Sequence, residues 1–163
     1  MTTETWISDL PRSRMVYPTN VLDQLKYWIW RVYTPIHPAV RNLSTLLGLD
    51  ASVFSPIDDS GRQDYLFGIL HPDRPLRDFV DHLVSHGFGN HFVAWKDSGE
   101  VISLRKPLDF RFQYHIRVFH DGEVRCHYEY TPEYRPLQHL TQIGFEDRRS
   151  EFELFLRDWI IPV

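Results

Sequence analysis

The chain has 163 residues, of which 42% are hydrophobic and 25% charged, with a formal net charge of −4 at pH 7. That length reads as one α+β domain, 1–163, able to bury roughly 70% of its unfolded surface. The acidic balance disfavours nucleic acid, the single cysteine excludes an intrachain disulfide and a Cys-rich zinc site, and no apolar run reaches the ~18 residues of a membrane span.

The N-terminal stretch MTTETWISDL lacks the basic-then-apolar pattern of a secretion signal, so the expected compartment is the cytoplasm. Residues 1–18 read as irregular. A helix is expected over Val21–Tyr33, capped by Thr19 or Asn20, with Val21, Leu22, Leu25, Trp28, Ile29, Val32 and Tyr33 on one inward stripe. Tyr27 and Trp30 fall opposite that stripe, where exposed aromatics would mark a partner surface or a homo-oligomer contact; cover by another part of the chain explains them equally well. Pro35 and Pro38 are expected to break this helix, with a second, shorter one opening at Pro38, burying Val40, Leu43 and Leu47 and stopping at Gly48. SPIDDSGRQD reads as a loop, while Tyr65–Leu70 is too short and too apolar for periodicity to separate strand from buried helix.

DRPLRDFVDHLVSHGF is the clearest helix: Asp73 as cap, Pro75 in the first turn, Gly87 as stop, and Leu76, Phe79, Val80, Leu83 and Val84 on one face. His82 and His86 are four apart and so share a helix face, and His91 lies just beyond. This spacing suits a zinc-type site, but no Glu follows the first histidine as a hydrolytic zinc helix requires, and the plainer reading is solvated helix histidines. Four strands are then expected, near 90–96, 100–106, 110–119 and 123–131, forming an antiparallel meander with amphipathic helices packed on one face. RPLQHLTQIGF reads as a further helix. EDRRSEFELFLRDWII reads as the last, with Asp147 as cap and Phe152, Phe155, Leu156, Trp159 and Ile160 on one face.

The hairpin FQYHIRVFHDGEVRCHYEY fixes its own register. A two-residue turn at Asp121-Gly122 would mix apolar and charged residues on both faces. A three-residue loop, His120-Asp121-Gly122, with Gly122 left-handed, separates them. One face then holds Phe112, Tyr114, Ile116 and Val118 with Val124, Cys126, Tyr128 and Tyr130. The other holds Arg111, Gln113, His115 and Arg117 with Arg125, His127, Glu129 and Thr131. In this register His115 lies opposite His127, Gln113 opposite Glu129, and Arg117 opposite Arg125.

The polar floor of Arg111, His115, Arg117, Arg125, His127 and Glu129 admits a small anionic ligand, through arginine forks, or a His/His/Glu metal site. An ordinary solvated sheet face is the favoured plain alternative. Cys126 is expected to be buried and inert. No nucleophile elbow, phosphate-binding loop or dinucleotide fingerprint occurs.

The sequence does not fix a function. Its best reading is a non-enzymatic binding protein that needs no cofactor and holds a small anionic ligand or a protein partner on the Arg/His sheet face or the aromatic N-terminal helix. The alternative is a zinc or other divalent-metal enzyme, hydrolytic in type, using His82, His86 and His91 or the His115/His127 pair. Nucleic-acid binding on the sheet face ranks third, because the register puts the aromatics on the opposite face.

Overall fold

The computed structural model describes residues 5–46, 65–90, 99–135 and 145–163. Strands β1 (Tyr65–Leu70), β2 (Gly89–Asn90), β3 (Glu100–Pro107), β4 (Phe112–Phe119), β5 (Glu123–Tyr130) and β6 (Ile160–Pro162) form one sheet in the spatial order β2-β3-β4-β5-β1-β6. Every neighbouring pair is antiparallel. Among the described residues three α-helices accompany them: α1 (Val21–Leu46), α2 (Leu76–Ser85) and α3 (Phe145–Leu156). The α+β class is as expected, but the sheet has six strands, not four.

The additional strands come from two places. Tyr65–Leu70, ambiguous by pattern, is strand β1 and pairs with β5. The tail of the expected last helix is instead β6: α3 stops at Leu156, and Ile160–Pro162 pairs with β1. The β-branched pair Ile160-Ile161 suits a strand better than a helix end. Gly68 makes this pairing possible, because a β-carbon there would collide with the carbonyl oxygen of Ile161. Asp147 lies inside α3 and not ahead of it.

The β4–β5 hairpin takes the expected register. Val118 pairs with Val124, His115 with His127 and Gln113 with Glu129. Gly122, at φ 87°, supplies the left-handed residue of the three-residue loop, and its N–H donates to the Phe119 carbonyl at 3.0 Å. The apolar face this creates is the core. Ile102, Leu104, Tyr114, Ile116, Val118, Val124 and Cys126 pack beneath Phe79, Val80 and Leu83 of α2 and Phe152 and Leu156 of α3. α2 ends as expected, with Gly87 left-handed and the Phe88 N–H donating to the Leu83 carbonyl. Its N-cap is Pro75, with no side-chain cap from Asp73.

The N-terminal segment is more ordered than expected. A 3₁₀ turn spans Thr5–Asp9, and Arg12 then bridges Asn90 in parallel at the β2 edge. The Asn90 N–H donates to the Pro11 carbonyl at 2.7 Å. This closes an edge that would otherwise present unpaired backbone groups.

α1 departs most from expectation. It runs unbroken through Pro35 and Pro38 to Leu46. A proline removes one helical hydrogen bond and crowds one turn, which can bend a helix without ending it. The N-cap is Asn20, whose Oδ1 accepts the Asp23 N–H at 2.9 Å while its Nδ2 donates to Asp23 Oδ2 at 2.6 Å. The faces are inverted. Val21, Leu22, Leu25, Trp28, Ile29 and Val32 are exposed, whereas Tyr27 is buried at 7% exposure against Tyr17 and Phe110, and Trp30 is half-buried. The anchoring is polar as well as aromatic, since Arg111 donates to Asp23 at 2.9 Å and Lys26 sits 3.8 Å over the Tyr134 ring. No helix among the described residues is long and apolar enough to cross a membrane.

All but the end residues Arg135 and Phe145 of the expected helix RPLQHLTQIGF, the loop SPIDDSGRQD and most of the strand near 90–96 lie outside the described residues.

Candidate metal centre

The polar face of the sheet is not the solvated surface that its composition favours. Glu100, Arg105, Gln113, Arg117, His127 and Glu129 are all buried, none more than 8% exposed. Burying such groups is unfavourable unless each is paired, and the pairing follows the strand register.

Arg105, opposite His115 in the β3–β4 ladder, makes a bidentate pair with Glu133 at 2.6 and 2.8 Å. It also donates to Ser13 Oγ at 2.7 Å and to Gln113 Oε1 at 3.0 Å. Arg117 pairs with Glu100, Arg125 with Glu123 and Arg111 with Asp23. The cross-strand arginines Arg117 and Arg125 are thus compensated from within the chain. An anionic ligand on this floor would have to compete with carboxylates already held by the arginine forks.

Glu129 is different. It is 1% exposed, and among the described residues no Arg or Lys pairs with it. Its Oε1 accepts from Gln113 Nε2 at 2.5 Å and lies 3.1 Å from His115 Nδ1. Its Oε2 lies 3.1 Å from His127 Nε2. The two imidazole nitrogens are themselves 2.7 Å apart. Two central strands build this cluster: His115 and His127 are cross-strand partners, and Glu129 follows His127 by two residues and so projects to the same face.

Ser103 Oγ lies 2.7 Å from His115 Nε2, placed to accept its N–H. In that tautomer the His115 Nδ1 lone pair points into the cluster. Burial, reinforced by the neighbouring His127 and Arg117, pushes the His115 pKa down to about 4 against the opposing pull of Glu129, so the ring is neutral at neutral pH. Burial alone would raise the Glu129 carboxyl. The two adjoining imidazoles outweigh it and hold the group well below the usual range. A neutral imidazole beside an ionised carboxylate is the protonation state a cation needs.

Other candidate residues are placed differently. His82 and His86 stack at 4.3 Å between ring centroids, but His82 Nε2 is engaged with the Phe155 carbonyl at 2.9 Å and His86 Nδ1 with the His82 carbonyl at 2.8 Å. His91 lies outside the described residues. Among the described residues His115, His127 and Glu129 are the group of three whose ligating atoms come together, within 4.8 Å of one another. Arg111 is exposed and committed to anchoring α1, and Tyr27 is part of the interior and not a surface aromatic. Cys126 is buried on the apolar face.

Ser103, Arg105 and Glu133 were not legible as site residues. The one available signal was the β3–β4 register, which places Arg105 opposite His115 and Ser103 diagonal to it. The chain matches no protein-family model, no curated protein and no solved structure in the comparisons made.

Proposed function

We propose that this protein binds a divalent transition-metal ion through His115 Nδ1, His127 Nε2 and the Glu129 carboxylate. The observation that carries this reading is a closed cluster of donor atoms on a buried carboxylate that no Arg or Lys balances among the described residues: the two imidazole nitrogens lie 2.7 Å apart, and each lies 3.1 Å from a different oxygen of Glu129. Ligands at 90–109° around a metal with bonds of about 2.1 Å lie roughly 3.0–3.4 Å apart, so the two nitrogens need to part by only a few tenths of an ångström, and each already stands at that spacing from one carboxylate oxygen. Two imidazoles and one carboxylate suit zinc, ferrous iron or cobalt, and not the all-oxygen shells of magnesium or calcium.

The hydrogen bonds around the cluster fit the same reading. Ser103 orients His115, and Gln113, itself held by Arg105, orients Glu129. Such partners fix ligand geometry and sharpen affinity. Three protein donors leave coordination positions for water or a small ligand. His115, with 17% of its side chain exposed, is the most open side of the cluster.

The test is cobalt(II) titration of tag-free protein, followed by visible absorption and metal analysis. One equivalent should bind, and His127→Asn or Glu129→Gln should abolish binding while His82→Asn with His86→Asn leaves it intact. A wild-type protein that takes up no stoichiometric metal, or uptake indifferent to His127 and Glu129, would overturn the reading.

A further inference from the structure

α1 holds the body with one face, and its opposite face is exposed among the described residues. Asp23 and Tyr27 point inward, at 4% and 7% exposure. On the opposite side the apolar residues fall into a heptad repeat. Leu22, Ile29, Ile36 and Leu43 recur every seven residues, and Leu25, Val32, Ala39 and Leu46 recur every seven residues three positions later. The spacing 3-4-3-4 continues without a slip along nearly the whole 26-residue helix and across both prolines. Each large side chain of the seam exposes half its surface or more, from 50% at Ile36 to 82% at Leu46.

The period decides what kind of surface fits. A helix lying on its own globular body shows a broad stripe of period 3.6. A strict 3.5 repeat keeps a narrow seam facing a second helix, whose side chains interlock with it as knobs into holes. Neither other helix among the described residues offers such a seam, since α2 and α3 spend their apolar faces on the sheet.

We infer that α1 pairs with α1 of a second copy of this chain, giving an isologous two-fold dimer. Three observations favour a copy over another occupant. The seam is self-complementary, because a heptad stripe is matched by another heptad stripe. It also carries no charge that would oppose its twin: Lys26, at its margin, is turned onto Asp23 and the Tyr134 ring. The available area is sufficient. The seam with its flanking residues Val21 and Trp28, at 79% and 61% exposure, presents nine large apolar side chains, each at least half exposed. A pair needs to bury only about 55 Å² at each of these nine side chains on both helices to reach the roughly 1,000 Å² that specific interfaces require. A bare apolar strip of this extent is uncommon on a monomer.

Sedimentation equilibrium of the full chain up to about 100 μM tests this. The mass should be twice the 19.5 kDa of one chain. Ile29→Glu with Val32→Glu, both at exposed positions, should halve it while leaving the far-ultraviolet circular dichroism unchanged; Leu25→Gln with Ile36→Gln should do the same. Leu154→Glu, on the exposed side of α3, should leave the dimer intact. A wild-type monomer at the highest concentration overturns the inference, as does a dimer that survives both seam variants. A monomer that co-sediments with phosphatidylcholine–phosphatidylserine vesicles would assign the seam to a membrane surface. A monomer whose urea midpoint falls in the seam variants would assign it to another segment of the chain. Either result also overturns the inference.

Discussion

Arg105 offers the most direct test of how the buried polar face is held and how it serves the site. Its guanidinium is 3% exposed, as is Glu133, and it bonds Ser13, Gln113 and both oxygens of Glu133. Arg105→Met keeps the length and removes every one of these donors. It strands the Glu133 carboxylate in the interior, at a cost of about 3–5 kcal/mol. It also deprives the Gln113 oxygen of a donor, at about 1 kcal/mol more. Against a typical stability of 5–15 kcal/mol this is a severe loss, and the urea midpoint in the presence of a chelator should drop accordingly. Adding Glu133→Leu removes the stranded charge, and Arg105→Met with Glu133→Leu should recover most of the stability. It should not recover the metal site. Without Arg105, Gln113 is no longer fixed, and the orientation of Glu129 loosens with it. Loss of such a supporting partner lowers metal affinity by about 10–100-fold. If Arg105→Met alone costs less than about 1 kcal/mol, the described pairing does not hold this face together. If the double variant regains both stability and cobalt affinity, the link from Arg105 through Gln113 to Glu129 is wrong.

Acid should act on the same cluster. The His115 pKa is lower in the folded chain, at about 4, than the 6.5 of an unperturbed histidine, so the unfolded chain takes up the proton first. Its contribution is fully present above pH 6.5 and lost as pH falls towards 4, about 3 kcal/mol in all. Glu129, held below its ordinary value, adds to the loss below about pH 4.5. The metal-free urea midpoint should decline across that window and flatten in His115→Gln; equal slopes in the two proteins would contradict the burial argument. Zinc should raise the unfolding free energy by about 2.7 kcal/mol at a free concentration a hundred times its Kd, and Glu129→Gln should abolish the gain. Gly68→Ala places a methyl against the Ile161 carbonyl and should cost about 1–3 kcal/mol, with hydrogen exchange accelerated along β6; an unaffected β6 would mean that the close approach to β1 is not needed.

The hairpin was legible because two independent signals agree in it. Gly122 admits a left-handed turn, and only the three-residue loop sorts Ile116, Val118 and Val124 from Arg117, Arg125 and His127. Burial of the polar side was not legible, because a sequence shows which residues are polar and not what covers them. The plain reading of a wet face was therefore natural and incorrect. α1 shows the reverse error. Leu22, Leu25, Ile29 and Val32 recur at helical spacing and were read as core, yet they are exposed, while Asp23 and Tyr27 are buried. The distinguishing signal was the exact seven-residue period that extends through Pro35 and Pro38 to Leu46. The prolines masked it, because breaking the helix at Pro35 cuts the repeat in half. β6 was missed because Trp159 and Ile160 continue the spacing of Phe152, Phe155 and Leu156, and only pairing with β1 shows that the chain has left the helix.

The charges on the polar face give the metal reading its force. Arg105, Arg111, Arg117 and Arg125 are each matched to an acidic group: Glu133, Asp23, Glu100 and Glu123. Among the described residues Glu129 has imidazoles in place of such a partner. Nitrogens 2.7 Å apart, with His115 neutral, need a shared proton, which one neutral ring can supply from its own N–H. That proton sits between donors where a cation would sit. A metal replacing it would send that proton to the other ring nitrogen and would neutralise a buried carboxylate that, among the described residues, no guanidinium meets. The neighbouring arginines, each already paired, would oppose the ion little. Because His115, His127 and Glu129 stand on β4 and β5, paired with each other and flanked by β3 and β1, their geometry is set by the ladder and not by loops. Little ordering is then left for the ion to impose, which is the condition for tight binding by only three protein donors.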